Sequence, residues 1–255
     1  MQDLKITLCQ IDQVWENKTA NFDKYALCFQ AEPDSDLFVL PEMFQTGFSM
    51  NVQELAENWN NSPSLEFLKS WSKEMKAAIY TSLIIEENGL YFNRGVFVQP
   101  NGVIDFYDKR KSFGLGNENQ FYTAGNKETI VEFKGWKIML EICYDLRFPE
   151  LVRNYHVDGK PKYDVLLNVA NWPERRIEHW KALIRARAIE NQSYVIGVNR
   201  VGSDASNLIY NGQSACFDAL GDGVYLQKEE KAQPFILSFD KLHEIRTNLP
   251  FLKDY

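Results

Sequence analysis

Hydrophobic and polar residues alternate over W-K-I-M-L-E-I at 136–142, with Trp136, Ile138, Leu140 and Ile142 on one side and Lys137, Met139 and Glu141 on the other. A period of two predicts a strand with at least one buried face. The alternation stops at Cys143. Phe148-Pro149-Glu150-Leu151 then opens an apolar run as the first turn of a helix does, predicting a helix that ends near Asp158-Gly159. Cys143 thereby falls at a strand-to-helix junction, where unbonded N–H groups and the helix dipole favour a thiolate.

The same patterns organise the rest of the chain. Leu4 to Ile11 reads as a buried strand and Asn17 to Ala31 as a helix, with Ala20, Phe22, Tyr25, Ala26 and Phe29 on one face. Leu37-Phe38-Val39-Leu40 is wholly apolar, as in a strand covered on both sides, and Pro41 ends it, leaving Glu42 at the sheet rim. Residues 43–63 read as a polar loop with room for one turn of helix, and Leu65 to Lys76 is helical. Ala77 to Glu86, Leu90 to Gln99 and Val103 to Tyr107 form a meander through the Asn88-Gly89 and Asn101-Gly102 turns, delivering Lys109 at its end. Ser112 to Gly125 is a long loop with three glycines. Thr129 to Phe133 pairs with 136–142. Tyr163 to Ala170 is a buried strand broken by Asn171-Trp172-Pro173, much as Pro41 breaks its counterpart. Ile177 to Asn191 is the clearest helix, Tyr194 to Val201 a strand, and Phe235 to Phe239 the last clear strand.

The two halves share an order of strand, helix, buried strand, helix and hairpins. That order predicts an α/β fold, a four-layer α-β-β-α sandwich of two mixed sheets with helices outside. No linker of changed composition divides it, so residues 1–255 read as one domain. The tail from about 242, with Leu249-Pro250-Phe251-Leu252, is too apolar for a solvated end and is expected to pack on this chain or on a partner subunit.

Composition narrows the function. A hydrophobic content of 45% is that of a chain with a sizeable core, and a net charge of −7 with no basic cluster beyond Lys109-Arg110-Lys111 argues against nucleic acid or an anionic membrane surface. Cys9, Cys28, Cys143 and Cys216 are widely spaced and only three histidines accompany them, which disfavours a zinc site. The amino terminus lacks the pattern of a secretory signal and no apolar run is long enough to span a bilayer. Reduced cysteines in the cytoplasm are therefore expected.

Glu42, Lys109 and Cys143 all stand at the ends of predicted strands, where ligands of α/β sheets gather. Each alone has an ordinary reading: a solvated acid, one cation of a basic run, a small core residue. Together they match a pattern. V-L-P-E-M-F around Glu42, Y-D-K-R-K around Lys109 and E-I-C-Y-D-L-R-F-P-E around Cys143 occur in order with N-E-N-Q-F-Y-T-A-G, V-A-N-W-P and H-W-K-A-L-I-R-A-R-A-I-E-N-Q. The sequence resembles the nitrilase superfamily of carbon–nitrogen hydrolases from Lys5 to the tail, and within it the bacterial omega-amidase branch, whose members hydrolyse the terminal amide of 2-oxoglutaramate and 2-oxosuccinamate.

The resemblance implies that Cys143 attacks the amide carbon, Glu42 moves the proton, and Lys109 and the Tyr144 N–H hold the oxyanion. It makes Glu118 a fourth site residue that orients Lys109, although Asn117-Glu118-Asn119 departs from the commoner G-E-H. No cofactor or metal is implied. A 2-oxo dicarboxylic monoamide carries a carboxylate that needs a cation, for which Arg147 and Arg176 are candidates, Arg147 alternatively pairing with Glu150. Trp172 and Phe113 are candidate pocket walls. His179 beside Trp180 reads as structural. Other substrates of the class, a carbamoyl-amine, aliphatic amide or nitrile, stay open, as does a non-catalytic binding relative. The family also implies a homodimer or higher homo-oligomer.

Overall fold

Apolar residues on both faces of the central strands require cover on both sides, and two sheets stacked face to face supply half of it. The computed structural model describes residues 2–254. One sheet runs in the order Lys231–Leu237, Leu4–Gln10, Leu37–Val39, Ala78–Glu87, Leu90–Val98, Ile104–Asp108, with Glu57–Asn58 as an additional strand against Ala78–Glu87. The other runs Gly223–Tyr225, Ala215–Phe217, Tyr194–Asn199, Val165–Ala170, Trp136–Ile142, Ile130–Phe133. Each has a parallel centre and antiparallel flanks.

Between the sheets, Leu4, Ile6, Leu8, Tyr80 and Phe97 meet Ile138, Leu140, Ile142, Leu167 and Ile196. On the outer faces, Phe38, Ile79 and Val96 pack against Tyr25, Phe29, Leu65 and Leu68 of the helices Lys18–Ala31 and Pro63–Met75. Met139, Leu166 and Val195 pack against Trp180, Ile184 and Ala188 of the helix Ile177–Asn191. The four layers are those that the order of elements predicts.

Several elements differ from the sequence reading. No long helix follows Pro149: Cys143–Arg147 and Pro149–Leu151 are single 3₁₀ turns, and a small hairpin of His156–Val157 with Lys160–Pro161 follows. The backbone there is bonded sideways, Asn154 N donating to Asn191 Oδ1 while its own amide donates to the carbonyls of Tyr163 and Asn191. The loop 43–63 agrees with its reading, its one helical turn being Val52–Leu55. The last strand is Lys231–Leu237, an edge strand that tolerates Pro234, and Phe239 instead opens the helix Phe239–Asn248. In the tail Leu242, Ile245 and Leu252 are buried, and the carbonyl of Leu249 accepts from Gln192 Nε2 of the same chain.

The expectation of four reduced cysteines is also corrected. Cys9 on the outer face of its strand meets Cys28 on the inner face of the first helix, and the two are joined in a disulfide. Their separation of 19 residues hides a contact that helix-on-sheet packing creates. Cys143 and Cys216 are free.

Candidate active site

Each candidate residue is fixed by the strand that ends just before it. After Val39 and Leu40, the carbonyl of Pro41 accepts from Thr81 Oγ1 at 2.7 Å, and Met43 N donates to Ser82 Oγ at 2.9 Å. Glu42 is thus pinned in the interior with no exposed surface. Lys109 leaves the meander with its N–H on the Asn93 carbonyl at 3.0 Å and its own carbonyl taken by Gly125 N at 2.9 Å. Gly125 has to be glycine, since a Cβ would stand 2.1 Å from the Asp108 carbonyl oxygen. Cys143 has φ +45°, a left-handed conformation that costs a non-glycine residue about 1–3 kcal/mol.

Asp145 holds that turn. Its carboxylate accepts from Tyr107 OH and Lys111 N, both at 2.8 Å, and from Ile142 N at 3.4 Å, tying the Lys109 segment to the Cys143 segment. Burial pushes its carboxyl up to about 6.

Lys109 Nζ donates to Glu42 Oε1 and to both oxygens of Glu118, each at 2.9 Å. Glu42 Oε1 also accepts from Asn93 Nδ2 at 2.8 Å, and Oε2 from Asn171 N at 2.9 Å. Glu118 is held from behind by Phe113 N at 2.6 Å. The Cys143 thiol lies beside Glu42. Burial and then the neighbouring Glu42 push that thiol well above its usual range, outweighing Lys109. Burial alone would lower Lys109, but Glu118 and Glu42 together raise it. The resting pair is therefore a thiol and an ammonium. The expected helix-dipole stabilisation of a thiolate is weak here, because the helix is a single turn and burial together with Glu42 outweighs Lys109.

These groups open into a cavity of about 420 Å³ lined by Glu42, Lys109, Cys143, Phe113, Tyr144 and Trp172, among others, with Arg147, Arg175 and Arg176 on its wall. The edge of Tyr144 meets Phe113 at 5.2 Å between centroids. Arg147 lies 4.6 Å over Trp172 and donates to His179 Nδ1 at 3.2 Å, so its partner is His179 rather than Glu150. Arg176 lies 5.0 Å over Phe113, and burial and then Arg175 lower its pKa. Among the described residues no carboxylate is paired with it.

All nine candidate residues converge: eight line the cavity, and Glu118 stands behind Lys109. Sequence reasoning missed Asn93, Asn171 and Asp145. Asn171 was visible only as a strand breaker. Asn93 is a polar interruption in the apolar strand Leu90–Val98, the one signal that could have flagged it. Glu16 and Asp204 from loops, and Tyr210 from the short strand Ile209–Asn211, also line the cavity, with no distinguishing sequence pattern.

Comparison with known proteins identifies the family. The carbon-nitrogen hydrolase family model matches residues 5–233. The chain is 40% identical to the omega-amidase YafV of Yersinia enterocolitica, covering 100% of this chain and 97% of that protein. It is 30% identical to the 2-oxoglutaramate amidase of Bacillus subtilis, covering 98% and 96%. A solved CN-hydrolase superfamily protein of Xanthomonas campestris, with an arsenic adduct in its active site, superposes with a TM-score of 0.97 at 39% identity, covering 100% of this chain and 98% of that one. The chain belongs to the carbon-nitrogen hydrolase family.

Proposed function

We propose that the protein hydrolyses the terminal amide of small omega-amides of 2-oxo dicarboxylic acids, 2-oxoglutaramate and 2-oxosuccinamate, to the acid and ammonia. The observation that carries this reading is a neutral thiol beside a buried acid, on the wall of a cavity that also holds an arginine with no carboxylate partner among the described residues. Two relatives named for omega-amidase and 2-oxoglutaramate amidase activity support the substrate class.

Cys143 Sγ attacks the amide carbon as Glu42 takes the thiol proton. Lys109 Nζ and the Tyr144 N–H, which has no intrahelical carbonyl to bond at this first turn, hold the developing oxyanion. Glu42 returns the proton to the leaving nitrogen, ammonia departs, and a thioester remains. Glu42 then takes a proton from water, whose oxygen attacks the thioester carbon, and the thiol is regenerated. Glu118 keeps Lys109 oriented throughout. Arg176 receives the substrate carboxylate, with Phe113 and Trp172 as walls and Arg147 placed beside Trp172.

Both sheets supply the site, so residues 1–255 act in this reading as one catalytic domain. We take the working form to be a homodimer or larger, on the strength of exposed Ile189, Val224 and Phe251, with sedimentation as its test. A cytoplasmic location belongs to the same reading. The Cys9–Cys28 bridge stands against it, and thiol trapping of the protein in cells decides the matter.

Ammonia release from a panel of 2-oxoglutaramate, 2-oxosuccinamate, a carbamoyl-amine, an aliphatic amide and a nitrile tests the proposal. The two 2-oxo amides should give the highest kcat/KM. A carbamoyl-amine or nitrile turned over faster would replace the substrate assignment.

A further inference from the structure

We propose that Asn93 is a positioning residue of the hydrolytic site, holding Glu42 and Glu118 on either side of Lys109 and keeping Glu42 turned toward the thiol. The inference rests on the hydrolytic reading given above and extends it to a side chain with no place in that mechanism.

Asn93 is buried in the strand Leu90–Val98 and bonds both carboxylates and the main chain of Lys109. Its Nδ2 donates to Glu42 Oε1 at 2.8 Å and to Glu118 Oε1 at 3.2 Å, and its main-chain carbonyl accepts from Lys109 N at 3.0 Å. The same two carboxylate oxygens are those that Lys109 Nζ bonds at 2.9 Å. Two acids thus share one ammonium, and the repulsion between their facing oxygens is met by one neutral donor rather than a second charge. The amide orientation follows from its neighbours: the reverse rotamer would aim Oδ1 at two carboxylate oxygens.

That orientation has a cost. Asn93 Oδ1 is buried with no hydrogen-bond partner among the described residues. A strand interior would gain from an apolar side chain of similar volume, because an unpaired buried amide oxygen loses its hydration without compensation. A polar group kept at a net cost to the fold, and bonded to both acids, is doing work for the site. Asn93 itself does not line the cavity, so its effect reaches the substrate only through Glu42 and Lys109.

Asn93→Leu is the test, with Asn93→Ala alongside it should the larger side chain fail to fold. Three readouts are taken: steady-state kinetics, the melting temperature, and the rate of Cys143 alkylation by iodoacetamide across pH. Loss of the donor lets Glu42 turn away from the thiol, so alkylation should slow by roughly tenfold across the pH range. A misdirected Glu42 should lower kcat by roughly 10- to 100-fold with KM within about twofold, while the melting temperature holds or rises. Unchanged kcat and an unmoved alkylation profile in a folded variant would overturn the assignment, as would a lowered melting temperature with full turnover per folded molecule. If no omega-amide were a substrate of the parent enzyme, the function proposed above would fall while alkylation still reported on Asn93.

Discussion

Glu42 and Asn171, 129 residues apart, are bonded twice: Asn171 N donates to Glu42 Oε2 at 2.9 Å, and Asn171 Nδ2 to the Glu42 carbonyl at 2.6 Å. Each stands just past the end of a buried parallel strand, one in each sheet. The pair therefore ties the rims of the two sheets together at the point where the acid meets the thiol. Asn171→Ala keeps the main-chain bond and loses the side-chain one. Stability should fall by about 1 kcal/mol in a urea titration, and kcat by roughly tenfold as Glu42 loosens. A drop in stability with unchanged kcat would show that the tie serves only the fold.

Cys143 combines the nucleophile with a strained backbone at φ +45°. Cys143→Ala should abolish ammonia release and leave the fold intact, because the side chain is small and faces the cavity. Cys143→Gly should be equally inactive yet more stable than Cys143→Ala by about 1 kcal/mol, since glycine adopts positive φ without a Cβ clash. Equal stabilities in denaturant would mean that the turn is unstrained.

Arg176 has a role that kinetics can separate from that of its neighbour. Without a carboxylate partner among the described residues, it is available to the substrate's own. Arg176→Ala should raise KM for 2-oxoglutaramate by roughly 10- to 100-fold, the worth of a charge-assisted hydrogen bond, with kcat little changed. A neutral aliphatic amide should be unaffected. Arg176→Lys should recover only part of the loss, because the planar fork is gone. Equal losses on charged and neutral amides would move the carboxylate site elsewhere.

The layers were legible in the sequence because burial on both faces leaves an apolar run, as at Leu37–Leu40, and because the Trp136–Ile142 alternation marks a strand, although Met139 and Glu141 on its second face prove to be buried as well. Glu42, Lys109 and Cys143 were legible because each follows such a run directly. The segment after Cys143 was misread as a helix. Proline and an acid are start signals, but nothing local records that Asn154 bonds to Asn191 on another element. The Cys9–Cys28 contact was hidden for the same reason. Asn93, Asn171 and Asp145 act through partners 25 to 129 residues away, a distance at which local patterns are silent.

Glu141 gives the enzyme a pH-dependent stability whose sign can be worked out. Two residues before the nucleophile, it is fully buried with Oε2 accepting from Asn168 Nδ2 at 2.8 Å and Oε1 without a partner. Burial, then the charge of Asp145, push its carboxyl up to about 8 from an ordinary 4.5. The folded state therefore keeps a proton that the unfolded chain releases above about 4.5. Its stabilising contribution is complete at low pH and is lost as pH rises through the interval up to about 8, at no more than about 1.4 kcal/mol per pH unit. Asp145, raised to about 6, acts in the same direction over a lower window. Between pH 6 and 8 the slope then belongs mainly to Glu141. Glu141→Gln keeps the acceptor for Asn168 and removes the proton, so its urea midpoint should hold across that range while the parent's declines. Because Glu141 does not line the cavity, kcat at pH 7 should stay within about twofold of the parent. Parallel declines in the two proteins would show that Glu141 is already ionised in the fold.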